Sequence, residues 1–255
     1  QNFSIDLYSG SKKKSKISDN RTTAISESNF QYIKDNLNLL KANFFWPCKK
    51  INLFFEDKGK IINFLNFDEK NKNFMYIFQN KDLKKKLKKI KNLKKNIKLI
   101  KKNVKDINSE GSFIVLHKKK IFYNLIILTT GGFSKFYSKL KVNRAIEKNY
   151  KEVAATAVIK HNANIENASQ FFLKEGPLAI LPFKKFSFST VWSVNNSYFK
   201  INEKKLKEIL TEKLRKLLNT KNIKKIKNIE TFPINLNLKT EYYKKNVLIL
   251  GDGLH

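Results

Sequence analysis

The sequence predicts an α/β fold, and three features lead to that prediction. The run Val247–Leu250 is continuously apolar, as expected of a strand buried on both faces of a sheet, and it ends at Gly251-Asp252-Gly253. A second apolar run, Ile121–Leu128, is predicted as one strand that also breaks at glycine, within Thr129–Ser134. The two strands are predicted to be parallel and near one another, with Gly131 and Asp252 facing one crevice. Helical spacing of apolar residues is clearest in Glu203–Leu218, where five leucine and isoleucine side chains share one face.

The Gly-Asp-Gly triplet is a candidate ligand loop. Asp252 would lie at the carboxyl edge of the sheet, where α/β folds bind ligands. Gly251 and Gly253 would let the backbone turn and let a ligand approach closely. A carboxylate at this edge can accept hydrogen bonds from sugar or ribityl hydroxyls. The same triplet also fits an ordinary turn, so both interpretations stay open.

The composition narrows the class of protein. A length of 255 residues predicts one to two domains, and 41% hydrophobic residues are enough to form cores. A single cysteine, Cys48, excludes an internal disulfide framework and a multi-cysteine metal site. No apolar run has the length of a membrane span and no signal-peptide pattern opens the chain, so a cytoplasmic location is expected. The first residue is Gln1 and the chain stops just after the triplet, so both ends are expected to be incomplete.

The net charge of +32 raises the possibility of a nucleic-acid partner. Arginine, whose planar group suits bases and phosphates, occurs only three times against fifty lysines. Lys, Asn, Ile and Phe are abundant in predicted strands, helices and loops alike, as an AT-rich coding bias would produce. We therefore attribute the charge to compositional drift and do not expect nucleic-acid binding.

The N-terminal third is predicted to hold a strand, a helix and a hairpin. Asn2–Tyr8 alternates loosely and predicts a strand. Arg21 stands just ahead of a predicted helix, Glu27–Leu40, where an anion is favoured, although a solvated surface arginine fits equally well. The runs Ile51–Phe55 and Ile61–Phe67 enclose turn residues and predict a hairpin.

The remaining elements follow from the same periodicities. Asn80–Asn92 is a basic amphipathic helix that either packs on the protein surface or lies on an anionic membrane. Gly176–Phe183 contains two prolines and is therefore predicted to be short or at a sheet edge. Further strands are predicted at 74–78, 97–104, 113–116, 153–160, 186–194 and 229–234.

Side-chain chemistry for catalysis is absent from the sequence. The three histidines are far apart and lack the spacing of metal ligands. Motifs for a serine nucleophile, a phosphate-binding P-loop or a zinc protease are missing. The sequence therefore predicts no catalytic side chain and no metal ligand, so in an enzyme a cofactor would carry the reactive chemistry.

Several segments, in one consistent order, resemble the ubiquinone-biosynthesis hydroxylases (UbiH/UbiF/VisC type), which are class A flavoprotein monooxygenases. The most specific is Gly176–Phe183 with Val191-Trp192-Ser193, which resembles the family's G-P-L-A-L-L-P-L and V-W-S signature. The other similar segments are Asp19–Ser26 (D-x-R-x-x-A-L-S), Tyr76–Leu83 (G-Y-V-V-E-N-x-x-L), Phe232-Pro233-Ile234 (F-P-L) and Gly251–His255 (G-D-A-A-H). The resemblance covers nearly the whole chain.

This resemblance implies a Rossmann-like FAD-binding domain interleaved with a β-sheet substrate domain. It assigns 1–46, 74–145 and 240–255 to the FAD domain, and 47–73 and 146–239 to the substrate domain. It implies five cofactor-binding residues. Arg21 would reach the FAD phosphates or ribityl chain, Asn80 would lie at a flavin-proximal helix start, and Asp252 would bind ribityl hydroxyls, with Gly131 and Gly251 forming the adjoining turns.

The implied activity is hydroxylation of a polyprenylated phenol in ubiquinone biosynthesis, with FAD as cofactor and NAD(P)H and O₂ as co-substrates. It also allows peripheral association with the inner membrane surface; the sequence carries no signal for an oligomeric state. Thr130 replaces the Asp of the family's G-A-D-G segment, which removes that carboxylate from any role in holding FAD or NAD(P)H. The family's G-x-G-x-x-G unit and P-x-x-G-Q-G loop are expected outside this chain. The alternatives are a diverged flavoprotein without hydroxylase activity and a basic polyanion-binding protein.

Overall fold

The computed structural model describes residues 3–10, 21–37, 45–68, 72–87, 95–131, 134–140, 144–224, 226 and 228–251. These residues form a mixed α/β structure, which confirms the predicted fold class. The chain divides into two compact units. One unit contains 1–16, 91–150 and 235–255, and the other contains 17–90 and 151–234.

The largest sheet has seven strands, and all of its residues except 144–150 and 235–239 belong to the second unit. Its strands are β4 (Lys50–Asp57), β5 (Lys60–Asp68), β12 (Arg144–Lys160), β13 (Ala168–Leu173), β14 (Gly176–Lys184), β15 (Ser187–Asn195) and β16 (Ile229–Lys239), in the order β16-β12-β15-β14-β13-β4-β5. The pairs β12–β15, β15–β14, β14–β13 and β4–β5 are antiparallel, and the pair β13–β4 is parallel. The predicted hairpin is β4–β5, whose turn has Lys58 and Gly59 at positive φ (44° and 80°), as a tight hairpin turn requires.

Two helices pack on one face of this sheet. Helix Asn196–Asn202 is followed by a 3₁₀ turn, Glu203–Lys205, and by helix Leu206–Leu217. The predicted apolar face is correct, because Leu206, Leu210 and Leu214 are buried against the core that contains Trp192 and Phe188. Burying such side chains stabilises the fold by about 1.5–3 kcal/mol each.

A smaller antiparallel sheet belongs to the same unit. It consists of β2 (Thr22–Ser26), β3 (Trp46–Cys48) and β6 (Met75–Gln79), in the order β2-β6-β3. Helices α1 (Glu27–Leu37) and α2 (Asn80–Leu87) follow two of these strands. Four aromatic side chains form their shared core, with the rings of Phe30 and Tyr76 stacked 3.7 Å apart. The last residues of the two predicted helices, 38–40 and 88–92, lie outside the described residues.

The first unit contains three small sheets. They are the parallel pair β1 (Ile5–Tyr8) and β7 (Ile97–Ile100), the antiparallel β8 (Asp106–Asn108), β9 (Phe113–Leu116) and β10 (Lys119–Phe122), and the sheet of β11 (Ile126–Leu128), β17 (Tyr243–Lys244) and β18 (Val247–Ile249). Helix α3 (Lys135–Leu140) places Phe136, Tyr137 and Leu140 in the core of this unit.

One predicted strand is two strands in the structure. The prediction of a continuous strand over Ile121–Leu128 is wrong, because the chain changes partner at Tyr123. Strand β10 pairs antiparallel with β9, whereas β11 pairs parallel with β18. Tyr123 marks the break: its amide donates to Ser112 and its hydroxyl donates to Asp6 (2.6 Å).

The proline-containing strand lies inside the sheet. The prediction that Gly176–Phe183 is short or at an edge is wrong, since β14 has nine residues and pairs with both β13 and β15. The two prolines are tolerated by their positions. Pro177 is the second residue of the strand, and Pro182 borders a β-bulge, where a missing N–H does not interrupt a regular ladder.

The compact units group some segments differently from the domains implied by resemblance. Residues 17–46 and 74–90 cluster with 151–234, whereas the resemblance placed them with 91–145. The assignment of FAD-binding and substrate roles to these segments stays a prediction. No helix in the described part of the chain is long and apolar enough to cross a membrane.

Candidate functional site

Two neighbouring parallel strands end at glycine in the first unit. Strands β11 and β18 pair in register, Leu128 with Ile249, and the Leu250 amide donates to the Leu128 carbonyl (2.9 Å). This confirms the prediction that the two apolar strands lie side by side. Asp252 lies outside the described residues, so its predicted place beside Gly131 stays a prediction.

Both strand ends turn through glycine into open space. Gly131 and Gly251 have φ of 79° and 74°, a conformation that side-chain-bearing residues rarely adopt. A Cβ built on either glycine would meet no atom of the described residues within 4 Å. Carboxyl ends of parallel strands with such space beside the backbone are where α/β folds bind ligands.

A tyrosine holds the turn that follows β11. The Tyr137 hydroxyl donates to the Gly131 carbonyl (2.9 Å) and lies 3.3 Å from the Thr130 Oγ1. Thr130 stands where the resemblance expects an aspartate, and its side chain is exposed. The hydroxyl pair therefore occupies the neighbourhood in which a carboxylate was expected.

Arg21 and Asn80 come together in the second unit. Strands β2 and β6 pair antiparallel, and the Asn80 amide donates to the Arg21 carbonyl (3.0 Å) just beyond that ladder. The Thr23 hydroxyl donates to the Asn80 Oδ1 (2.6 Å), which fixes the side chain of Asn80 at the start of α2. The Asn80 Nδ2 keeps two N–H donors, since only its oxygen is the acceptor in that bond.

A cavity of about 160 Å³ adjoins Arg21. It is lined by hydroxyl, apolar and charged side chains of β2, β12, β15 and β16, among them Thr156, Ser189, Glu230 and Phe232. A cavity of roughly 150 Å³ is large enough to hold benzene, so this one can hold a single aromatic ring.

The polar groups of the cavity are fixed by contacts within the second unit. The hydroxyls of Thr22 and Ser189 are 2.5 Å apart, and the Thr156 hydroxyl donates to the Glu230 carbonyl (3.3 Å). The guanidinium carbon of Arg21 lies 6.0 Å from the centre of the Phe232 ring. The cavity thus combines one cation, an aromatic face and several hydroxyls, which suits an aromatic ring with polar or anionic substituents.

Sequence reasoning missed most of this cavity. Four lining residues lie in segments that the resemblance identified: Arg21, Thr22, Val191 and Phe232. Sequence reasoning linked none of them to a cavity, and it assigned Arg21 to FAD. Thr156 and Ser189 carry no motif, and they become neighbours of Thr22 only through the pairing of β12 with β15 and through side-chain contact.

Among the described residues, Cys48 and His161 are candidate nucleophilic or acid–base groups, and both are buried. Burial raises the pKa of the Cys48 thiol, which is fully buried, so it is not an activated nucleophile. Burial lowers the pKa of His161, which is 1% exposed. Among the described residues, no group of three His, Cys, Asp or Glu side chains could hold a metal ion.

Solved structures share this fold at low sequence identity. No protein-family model matches the sequence, and no curated protein matches it. The myxobacterial chondrochloren halogenase CndH, a variant of the FAD-dependent halogenases, has a TM-score of 0.73 at 10% identity, over 98% of this chain and 63% of the halogenase.

Two further structures are similar to the same extent. A flavoprotein/dehydrogenase from Cytophaga hutchinsonii has a TM-score of 0.70 at 13% identity, over 99% of this chain and 66% of its own. The tryptophan 6-halogenase SttH from Streptomyces toxytricini has a TM-score of 0.68 at 11% identity, over 98% and 62%. This chain therefore spans about two thirds of the length of these proteins, and it has their fold.

Proposed function

We propose that this chain is part of an FAD-dependent flavoprotein that hydroxylates an aromatic ring with NAD(P)H and O₂. The observation that carries the proposal is the pair of parallel strands that end side by side at Gly131 and Gly251, each turning at positive φ into open space. The neighbours described as FAD-dependent or as flavoproteins support a flavin as the ligand of this fold.

The residues present fit FAD. Open backbone at Gly131 and Gly251 would accept the close approach of a nucleotide, and Asp252 would accept hydrogen bonds from its ribityl hydroxyls. Arg21 and Asn80 belong to the second unit, and their assignment to FAD rests on the resemblance alone. FAD would supply the redox chemistry and the activation of O₂ that no side chain of this chain provides.

The chain's own residues would bind and orient the substrate. The cavity beside Phe232 has the size of one ring, and the hydroxyls of Thr156 and Ser189 can donate or accept at ring substituents. Its apolar walls would exclude water from the ring. We propose a polyprenylated phenol of ubiquinone biosynthesis as the substrate, and peripheral association with a membrane surface, where such a lipid is found, follows from that choice.

The test uses the longest protein that carries residues 1–255. Purified protein should show a flavin absorbance band or regain one when FAD is added. Asp252→Ala should weaken FAD binding about ten- to a hundred-fold, because a hydrogen bond to a charged group contributes roughly 1.5–3 kcal/mol. Asp57→Ala, which removes a carboxylate from the β4–β5 hairpin, is the matched control and should leave the affinity unchanged.

Halogenation of an aromatic ring is the second candidate, because several neighbours are flavin-dependent halogenases. The two activities differ in their requirement for halide. Product masses from reactions with and without bromide distinguish them: hydroxylation proceeds without halide, and halogenation does not. Bound flavin without either product would instead indicate a diverged flavoprotein.

A further inference from the structure

The seven-stranded sheet differs between its two faces. In β13, Phe171 is 2% exposed in the core under the helices, whereas the next residue, Phe172, is 43% exposed. Because successive side chains of a strand point to opposite faces, Phe172 lies on the face away from the helices. Val191, which lines the cavity, lies on this second face as well, since its neighbour Trp192 is buried in the helix-covered core. The cavity and an exposed apolar surface therefore share one face of the sheet.

One row of side chains crosses this face from the cavity to the edge of the sheet. Each member is paired in register with the next, one residue on each of six neighbouring strands. The row contains Thr156, Val191, Ala179, Gln170, Leu53 and Leu65, on β12, β15, β14, β13, β4 and β5 in that order. The first two line the cavity, and the last lies on an edge strand. The three residues before Leu65 are partly buried and Leu65 is 41% exposed, so a ligand can contact the row.

The small sheet β2-β6-β3 borders this row on one side. Ala168 and Leu181 lie two residues along the same strands from Gln170 and Ala179, and therefore on the same face. They belong to a core cluster with Cys48 of β3 and Ile77 of β6. The row therefore runs beside a wall that the small sheet forms.

Three phenylalanines border the row near the sheet edge. The ring centres of Phe55 and Phe64 are 5.7 Å apart, and those of Phe64 and Phe172 are 6.0 Å apart. All three side chains are more than a third exposed. Contiguous exposed apolar side chains mark binding surfaces, whereas single ones do not. Gln170 is the only polar member of the row beyond the cavity, so the row offers an apolar chain a nearly continuous path.

We propose that this row binds the prenyl tail of the substrate whose ring lies in the cavity. This inference rests on the proposed function and deepens it by assigning residues to the tail. Continuity with the cavity argues for this occupant, because a chain that leaves a ring beside Val191 meets Ala179 next and then apolar side chains up to β5. A second copy of the protein or a bilayer would need a flat or protruding surface, whereas the row lies beside a wall.

The row sets a length for that tail. From Val191 on β15 to Leu65 on β5 it crosses four strand spacings, which is about 19 Å at roughly 4.8 Å each. An extended chain advances about 1.2 Å per bond, so an isoprene unit with four bonds along the chain spans about 5 Å. The row therefore holds about four isoprene units.

Binding titrations with phenols that carry from about one to five isoprene units test the row without FAD and without turnover. A fixed concentration of cyclodextrin keeps the probes in solution, and its competition is the same for every variant. In the wild type, the Kd should fall about three- to tenfold with each added unit, because each unit buries apolar surface. The decrease should end at about four units, where the tail reaches the edge strand.

Three variants should change this dependence at defined positions. Ala179→Phe places a ring one strand spacing from Val191, so the Kd should stop falling after about one unit. Gln170→Leu removes the polar member of the row, and it should lower the Kd several-fold only for probes of about two or more units. Leu65→Asp places a charge at the far end, so the fourth unit should no longer lower the Kd.

Ile201→Asp is the matched control for Leu65→Asp. Ile201 is 83% exposed in the helix Asn196–Asn202, on the other side of the sheet, so this variant should bind every probe with the wild-type Kd. The melting temperatures of both variants should stay close to that of the wild type, because each replaced side chain is already exposed. If Ala179→Phe fails to fold, Gln170→Leu and Leu65→Asp still decide the question.

Several results would overturn the inference. These are the absence of probe binding, a wild-type Kd that does not depend on chain length, and a wild-type dependence in both Gln170→Leu and Leu65→Asp. If Leu65→Asp keeps that dependence but abolishes a dimer in light scattering, or binding to anionic phospholipid vesicles, the surface belongs to a second copy or to a bilayer instead. FAD titration is a separate test: a protein that binds prenylated phenols by chain length and binds no FAD keeps the row and rejects the flavoprotein.

Discussion

Acid should destabilise this protein through one buried imidazole. His161 is fully buried, its Nδ1 lies 2.9 Å from the Ala163 carbonyl, and its Nε2 has no hydrogen-bond partner among the described residues. Its ring packs 5.2 Å from that of Phe188. Burial lowers the pKa of His161 below its ordinary 6.5, and the backbone contact offsets only part of that effect.

The described contacts around His161 and its neighbours involve no carboxylate. His161 bridges to Ile223, whose carbonyl accepts a hydrogen bond from Arg215. Lys160 precedes His161, and its carbonyl accepts the amide of Lys224. The described contacts therefore provide no carboxylate beside the imidazole that would stabilise its protonated form.

The direction and the size of the pH effect follow from proton linkage. In the unfolded chain the histidine takes up a proton near pH 6.5, whereas in the folded protein it does so only at lower pH. The contribution of neutral His161 is therefore fully present above about pH 6.5 and decreases as the pH falls. The free energy of unfolding should decrease by at most about 1.4 kcal/mol per pH unit below that value from this group.

Denaturant unfolding of the wild type and His161→Phe at several pH values measures the effect. Phenylalanine keeps a ring of similar size and cannot titrate, so the carboxylates contribute equally to both proteins. The difference between the two free energies of unfolding should change by up to about 1.4 kcal/mol per unit below about pH 6.5. A difference that is constant from about pH 7.5 to 5 would refute the reasoning.

Three further predictions follow from individual contacts. Leu210→Ala should lower the free energy of unfolding by about 2–5 kcal/mol, because Leu210 is 0% exposed in the core under the seven-stranded sheet. Denaturant titration measures the loss, and a value under about 1 kcal/mol would contradict that packing. Lys139→Met should raise the pKa of Asp106 in an NMR titration, because the hydrogen bond from Lys139 holds that pKa below its usual range. The free energy of unfolding should change by less than about 1 kcal/mol, since both side chains are substantially exposed. Thr130→Asp should strengthen FAD binding or speed flavin reduction by NAD(P)H, and no change in either rate or affinity would count against the monooxygenase resemblance.

Local sequence patterns predicted the elements that can be recognised without knowing which distant strand or helix they pack against. The hairpin β4–β5 followed from apolar runs around a Lys-Gly turn, and the helix at Leu206–Leu217 followed from its leucine spacing. The neighbouring positions of β11 and β18 followed from two apolar strands that end at glycine. In each case the spacing of the apolar residues along the sequence is the one typical of that element.

Features that depend on distant partners could not be predicted in this way. Strand β2 and strand β13 have mixed polar sequences, and they are stabilised by pairing with β6 and with β4 and β14. The break at Tyr123 depends on a hydrogen bond to Asp6, 117 residues away. The cavity beside Arg21 depends likewise on residues from strands far apart in the chain.

The proposed function requires the protein that carries this chain to bind a flavin. Absorbance titration of the longest protein that carries residues 1–255 with FAD tests it most directly. We predict a saturable flavin spectrum that Asp252→Ala weakens about ten- to a hundred-fold and Asp57→Ala does not. Absence of any bound flavin, together with tight and salt-sensitive binding to DNA or RNA, would contradict the claim and favour a basic polyanion-binding protein.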